Sequence, residues 1–150
     1  MVKDLQPELN KLLDVKNKGI YDFLCAKIPI KLCYCTENNY GVFIYNGEAR
    51  IDIPMNNYSS ASFTHELLHI LLFVLGVNIG GAIKLQKEGN KYLHSVISDE
   101  LADHITNILE HRKMFPIFIE LGYDKMDFLH DAGRSVLTNQ EVKEFKTLFK

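Results

Sequence analysis

The most constraining segment of this chain is an apolar stretch over residues 60–75 that contains the sequence His65-Glu66-Leu67-Leu68-His69. Apolar residues would lie on nearly every side of a helix drawn through it, which predicts a helix buried inside a domain, and the following Gly76 is suited to end it. The two histidines are four residues apart, so on a helix they project from one face, a single turn apart. The segment therefore predicts a buried helix that carries two imidazoles and one carboxylate.

These three polar side chains match the requirements of a catalytic zinc site. Two imidazoles at this spacing can reach one metal ion, and Glu66 is placed to hold and deprotonate a metal-bound water, as a general base does in zinc-assisted hydrolysis. The alternative is two ordinary histidines hydrogen-bonded within a core. An unpaired buried imidazole is destabilising, and a metal ion would satisfy it. We therefore expect His65 and His69 to bind Zn²⁺ and Glu66 to be the catalytic residue.

A third protein ligand has to come from another element, because a catalytic zinc has three protein ligands and one open position. A helix predicted over residues 92–112 contains a run of titratable side chains, Asp99, Glu100, Asp103 and His104. With about 100° of rotation per residue, Glu100 and His104 fall near the edge of its apolar stripe, whereas Asp99 points away from it. Glu100 is the preferred third ligand. Asp103 and His104 are expected to accept the distal N–H of a ligand histidine, and the further oxyanion candidates are His94, His111, His130 and Tyr123.

The remaining patterns predict a single α+β domain over residues 1–150. Helical spacing of apolar residues predicts an interrupted helix over residues 1–27, a further helix over 115–121, and a terminal helix opened by Thr138 and Glu141. Runs of β-branched and aromatic residues at 30–35, 40–45 and 48–53 predict strands, and Asn46-Gly47 predicts a two-residue hairpin turn. We expect a short antiparallel sheet packed against the zinc-bearing helix and the second ligand helix, with flanking N- and C-terminal helices.

Composition and charge argue against several classes of function. A net charge of −2 without a long run of Lys or Arg gives no support for nucleic-acid binding. No segment is apolar for long enough to span a bilayer, and the charged N-terminus does not resemble a secretory signal, so we expect a cytoplasmic protein with no membrane partner. Cys33 and Cys35 would share one face of a strand; we expect reduced thiols there, because no second cysteine pair completes a metal site.

With these residues the chain resembles the gluzincins, the HExxH metallopeptidases with a glutamate third ligand on a following helix, and among them the small ImmA/IrrE-like members. The resemblance covers roughly residues 48–112 and depends on the extended segment before the motif, the motif itself and the acidic helix about thirty residues later. The sequence differs from the usual pattern of these relatives at two places. Leu68 stands where relatives often have Gly, and Asp99-Glu100-Leu101-Ala102-Asp103 stands where they often read Glu-x-x-Ala-Asp. Aligning on Ala-Asp makes Asp99 the ligand, so Asp99 remains an alternative to Glu100.

The resemblance implies a zinc metallopeptidase, an endopeptidase that cleaves one or a few protein or peptide substrates. It also implies that substrate lies along an exposed strand edge, and the strand over residues 48–53, which begins at Glu48 and ends at Ile53, is the candidate for pairing with it. The alternative function is a metal-binding regulatory or interaction module without hydrolytic activity. The presence of Glu66 argues against that alternative. A purely structural zinc is normally closed by four protein ligands, and the sequence has no obvious fourth beyond Asp99, Asp103 and His104.

Overall fold

The structure is a computed structural model that describes residues 8–131. It contains a short 3₁₀ turn at Leu9–Lys11, six α-helices and three β-strands. The predicted α+β class, with a short sheet packed against helices, is confirmed. The terminal helix predicted from Thr138 lies outside the described residues. The elements are α1 (Lys18–Cys25), β1 (Ile30–Cys35), β2 (Gly41–Tyr45), β3 (Glu48–Pro54), α2 (Ser60–Val74), α3 (Ile79–Gly89), α4 (Lys91–Val96), α5 (Asp99–Glu120) and α6 (Lys125–Asp131).

The sheet is mixed, with strand order β1-β3-β2. The hairpin between β2 and β3 is confirmed: Asn46 and Gly47 have φ angles of 51° and 76°, the positive values that a two-residue turn of this kind requires. β2 therefore runs antiparallel to β3, whereas β1 pairs with β3 in parallel. The expectation of an antiparallel sheet is wrong for β1. After β1 the chain crosses to the far edge of the sheet and forms β2 there. β3 then lies between β1 and β2 and runs in the same direction as β1.

β3 is the central strand and is hydrogen-bonded on both sides. Its side chains alternate: Ala49, Ile51 and Ile53 are fully buried, and Arg50 on the opposite face is exposed. Because β1 and β2 occupy both of its edges, β3 has no free edge along which a further strand could pair. The expectation that a substrate strand pairs along residues 48–53 is therefore wrong.

The helix predicted over residues 60–75 is α2, and it lies between two parts of the core. The side chain of Ser59 caps its start by accepting a hydrogen bond from the Ser62 N–H at 3.1 Å. Leu67 packs toward α1 and the sheet, and Leu68 packs toward α5 and α6. Both leucines are fully buried, which stabilises the fold by about 2–3 kcal/mol each. No single helix of residues 8–131 is long and apolar enough to cross a bilayer; α2 and α3 reach those criteria only as a pair bent by 55°.

The helix predicted over residues 92–112 is two helices, α4 and α5. The break falls at Ser98, whose side chain accepts a hydrogen bond from the Leu101 N–H at 3.1 Å. This sequence favours the start of a helix. Ser98 satisfies a free N–H group of the first turn, and Asp99 and Glu100 place negative charge at the N-terminus. α5 then continues through Pro116 and includes the separate helix predicted over residues 115–121. Its buried Met114 and Phe118 pack against α2 and α6, and this packing offsets the backbone hydrogen bond that Pro116 removes.

Candidate metal centre

Three imidazoles converge where α2 packs against α5. His65 and His69 come from α2, as predicted, and the third, His111, comes from α5. One nitrogen of each ring lies within 4.8 Å of those of the other two. The Nε2 atoms of His65 and His111 are 3.0 Å apart. Within the part of the chain that the structure describes, no other group of His, Cys, Asp or Glu side chains meets this criterion for a metal site.

The dimensions and protonation of this trio fit a metal ion. Three nitrogens bound tetrahedrally to zinc, at about 2.0–2.1 Å from the ion, are about 3.3 Å from one another. The distance between any two of the ring nitrogens here therefore has to change by about 1.5 Å at most. Burial, followed by the proximity of His69 and His111, lowers the pKa of His65 to about 3. His65 is therefore neutral at physiological pH, as a ligand must be. Its Nδ1 is buried without a hydrogen-bond partner, so the imidazoles do not satisfy all their polar atoms among themselves.

Glu110 orients one of the three rings. Its Oε2 accepts a hydrogen bond from Nδ1 of His69 at 2.9 Å, and both side chains are largely shielded from solvent. An ionised carboxylate can only accept in such a pair, so Nδ1 of His69 carries the proton, and the neutral form of this ring has its lone pair on Nε2. This arrangement is typical of metal-binding histidines, because the carboxylate fixes the tautomer and raises the basicity of the ligand nitrogen. Glu110 thus has the role that the sequence assigned to Asp103 and His104, which are exposed and lie seven and six residues earlier on α5.

The trio lies in the wall of a cavity of about 990 Å³ between β2, α2 and α5. Glu66 lines the same cavity and is only 6% exposed, so the carboxylate predicted as the general base lies in the same wall as the three imidazoles. The remaining predicted site residues, Glu100, Asp103 and His104, also line this cavity. The predicted site residues therefore line one cavity, although the sequence did not predict which of them lie close together.

The geometry favours His111 over Glu100 and Asp99 as the third ligand. Glu100 is on the same side of α5 as His111 but eleven residues earlier, which at 1.5 Å per residue is about 16 Å along the axis. Asp99 is exposed, and its Oδ1 lies 2.6 Å from Nζ of Lys87. This ion pair lowers the pKa of Asp99, as expected for a carboxylate facing a cation. Neither acidic residue belongs to the group that contains His65 and His69.

The other candidates for oxyanion stabilisation lie in different places. Tyr123 is in a polar network: its hydroxyl donates to Asp14 at 2.9 Å and lies 3.0 Å from both Ser60 Oγ and Thr64 Oγ1. This network fixes the first turn of α2, so Tyr123 has a structural role. His94 is exposed on α4, and the side chain of His130 lies outside the described part of the chain. His111 belongs to the trio, and the signal that could have found it is its helical spacing of eleven and seven residues from Glu100 and His104.

Comparisons with known proteins find no counterpart of this arrangement. No family model matches the chain, and no curated protein and no solved structure matches it. The fold and the site therefore define the class of protein: an α+β domain with a candidate three-histidine metal centre in the wall of a large cavity.

Proposed function

We propose that this protein is a zinc-dependent metallopeptidase in which His65, His69 and His111 hold the ion and Glu66 is the general base. The observation that carries the proposal is the convergence of three imidazoles in a cavity that Glu66 also lines. Three protein ligands leave a fourth position open, which is typical of catalytic zinc, whereas structural zinc is normally closed by four. Nitrogen donors alone suit several transition metals. Zinc is preferred because a general base beside the ligands indicates hydrolysis.

Each side chain has a distinct role in this proposal. Zinc, when bound, would polarise a substrate carbonyl and lower the pKa of a water molecule. Glu66 accepts the proton of the attacking water on a carboxylate oxygen and passes it to the nitrogen of the leaving amine. Glu110 holds the proton on Nδ1 of His69, which keeps Nε2 available as a ligand atom. Glu66 and His65 are both buried, so their polar atoms are less screened by solvent than those of exposed residues.

The candidate path for a peptide substrate follows β2 rather than β3. Gly41, Val42 and Ile44 of β2 line the cavity that contains Glu66. In the described sheet β2 is an edge strand whose partner is β3, so its outer edge presents backbone N–H and C=O groups that an extended peptide can pair with. A substrate held in this way would lie beside β2, along the cavity that contains Glu66.

The first test is peptide cleavage with and without zinc. The protein is loaded with zinc and incubated with a peptide library of unbiased sequence, and new termini are identified by mass spectrometry. We expect cleavage that falls by about 100-fold or more when a chelator removes the metal and that returns with added Zn²⁺, because Glu66 alone acts on a much less acidic water. Cleavage that is insensitive to chelation contradicts the metal mechanism. A zinc-loaded protein that cleaves nothing supports the regulatory metal-binding module instead.

A further inference from the structure

The aromatic ring of Phe128 packs directly on two of the three imidazoles. Phe128 lies on α6 and is only 4% exposed. Its ring centroid is 4.7 Å from that of His65 and 5.4 Å from that of His111. Both distances are within the range of about 4.5–7 Å at which aromatic rings attract one another. Phe128 is not among the residues that line the cavity, so it contacts the two rings without taking up the space proposed for substrate.

The packing of α6 depends on this side chain. Of the four side chains that the structure describes on this helix, those of residues 125–127 are exposed and only that of Phe128 is buried. A helix of seven residues is not stable in water by itself, since isolated helices shorter than about 12–15 residues are marginal. The position of α6 therefore depends on what the ring of Phe128 contacts. Its ring contacts with described residues are to His65, His111, Phe115 and Phe118.

The same contacts restrict the two histidine rings. A ligand histidine has to present one nitrogen to the ion, so its ring must be held in one orientation. Glu110 does this for His69 through a hydrogen bond. The ring of Phe128 lies at 40° to that of His65 and at 73° to that of His111, so either imidazole would have to displace it in order to turn. Phe128 thus restricts these two rings by packing.

We propose that Phe128 is a positioning residue of the metal centre, and that zinc binding and the packing of α6 on α2 and α5 stabilise each other. The inference rests on the proposed function, because it assumes the three-histidine zinc site, but it does not require hydrolysis. An ion that holds His65 and His111 in place preserves the surface on which Phe128 packs. A docked α6 in turn preserves the ring orientations that bind the ion. Such a coupling is reciprocal, so a change in either has to appear in the other.

The first measurement is the zinc affinity of Phe128→Leu. Leu keeps an apolar side chain at this buried position but removes the ring that packs on the imidazoles. Loss of a group that orients metal ligands typically lowers affinity by about 10–100-fold, and we expect about tenfold here. Phe118→Leu is the matched control, because Phe118 is fully buried in the same cluster and its ring contacts are to Tyr123 and Phe128 rather than to a histidine. It should lower the thermal stability of the zinc-free protein as much as Phe128→Leu does, but change zinc affinity by about twofold at most.

The second measurement is amide hydrogen exchange of α6 in the wild-type protein, which requires no substitution. We expect the backbone amides of residues 125–131 to exchange about tenfold more slowly when zinc is bound. At saturating zinc, Phe128→Leu should lose most of this protection, whereas Phe118→Leu should retain it.

Three results overturn the inference: wild-type zinc affinity in Phe128→Leu, an equal loss of affinity in Phe118→Leu, or no effect of zinc on exchange in α6. Peptide hydrolysis is measured separately on the wild-type protein. Zinc-dependent protection of α6 without hydrolysis leaves this inference standing and contradicts the proposed peptidase function. Zinc-dependent hydrolysis with no effect of Phe128→Leu on zinc affinity does the reverse, so the two failures are distinguishable.

Discussion

Glu66→Gln is expected to retain zinc and to lower kcat/KM for peptide hydrolysis by about 10²–10⁴-fold, the range that a general acid–base residue typically contributes. Gln has nearly the same size and shape as Glu, so the packing around this buried position on α2 is preserved. The amide cannot accept the proton of the attacking water. The measurement is steady-state hydrolysis of a peptide identified from the library, combined with the zinc content of the same samples.

Glu88→Gln is the control for this substitution, because Glu88 is exposed on α3 and is not among the residues of the cavity wall. It should hydrolyse the peptide at the wild-type rate. If Glu66→Gln retains both zinc and full activity, Glu66 is not the base. If it loses the metal along with the activity, Glu66 acts as a ligand, and the assignment of the three histidines as the complete protein ligand set is wrong.

His111→Ala is expected to weaken zinc binding by about 100-fold or more. Loss of a residue that only supports a ligand typically costs 10–100-fold in metal affinity, and loss of a ligand should cost at least as much. His104→Ala is the matched control, because it removes an imidazole from the same face of the same helix but outside the trio. The dissociation constant of zinc, measured by competition with a chromophoric chelator, should be unchanged in that control.

Glu100→Gln extends the comparison to the ligand that the sequence favours. We expect it to bind zinc as tightly as the wild-type protein, because Glu100 is about 16 Å from His111 along α5. The opposite pattern, tight binding by His111→Ala and weak binding by Glu100→Gln, would show that α5 shifts along α2 when the metal binds. It would support the gluzincin-like assignment over the three-histidine site.

Local patterns predicted the elements that carry the site. The apolar stretch with two histidines four residues apart predicted α2, and Asn46-Gly47 predicted the hairpin of β2 and β3. These features depend on residues close together in sequence, whose helical or turn geometry is nearly independent of the rest of the molecule. The relative positions of His65, Glu66 and His69 were predictable for the same reason, because all three lie on one helix.

The features that the sequence did not predict depend on how separate elements pack. The helical wheel indicated the face of α5 that carries Glu100 and His104, but it contains no information on which turn of that face meets α2. That position is set by the packing of Met114 and Phe118 against Leu68 and Leu72, near the C-terminal half of α5. His111, a turn or two from these contacts, is therefore the residue that reaches His65.

Local sequence patterns could not predict the orientation of β1 for a similar reason. A hairpin turn determines how β2 and β3 pair, but no such turn joins β1 to its neighbour. Whether β1 pairs with β2 or β3 depends on how its partly buried Ile30 and Leu32 pack against the core. The position of β3 in the centre of the sheet, which excludes it as a substrate-binding edge, follows from that choice.

The most direct test of the three-histidine site is anomalous diffraction from crystals of the zinc-loaded protein, recorded on both sides of the zinc absorption edge. We predict a single strong peak per chain at about 2.0–2.1 Å from one nitrogen each of His65, His69 and His111, with no carboxylate of α5 bound to it. A peak bound to Glu100 or Asp99, or the absence of any peak at His65 and His69 in crystals grown with excess zinc, would contradict this account.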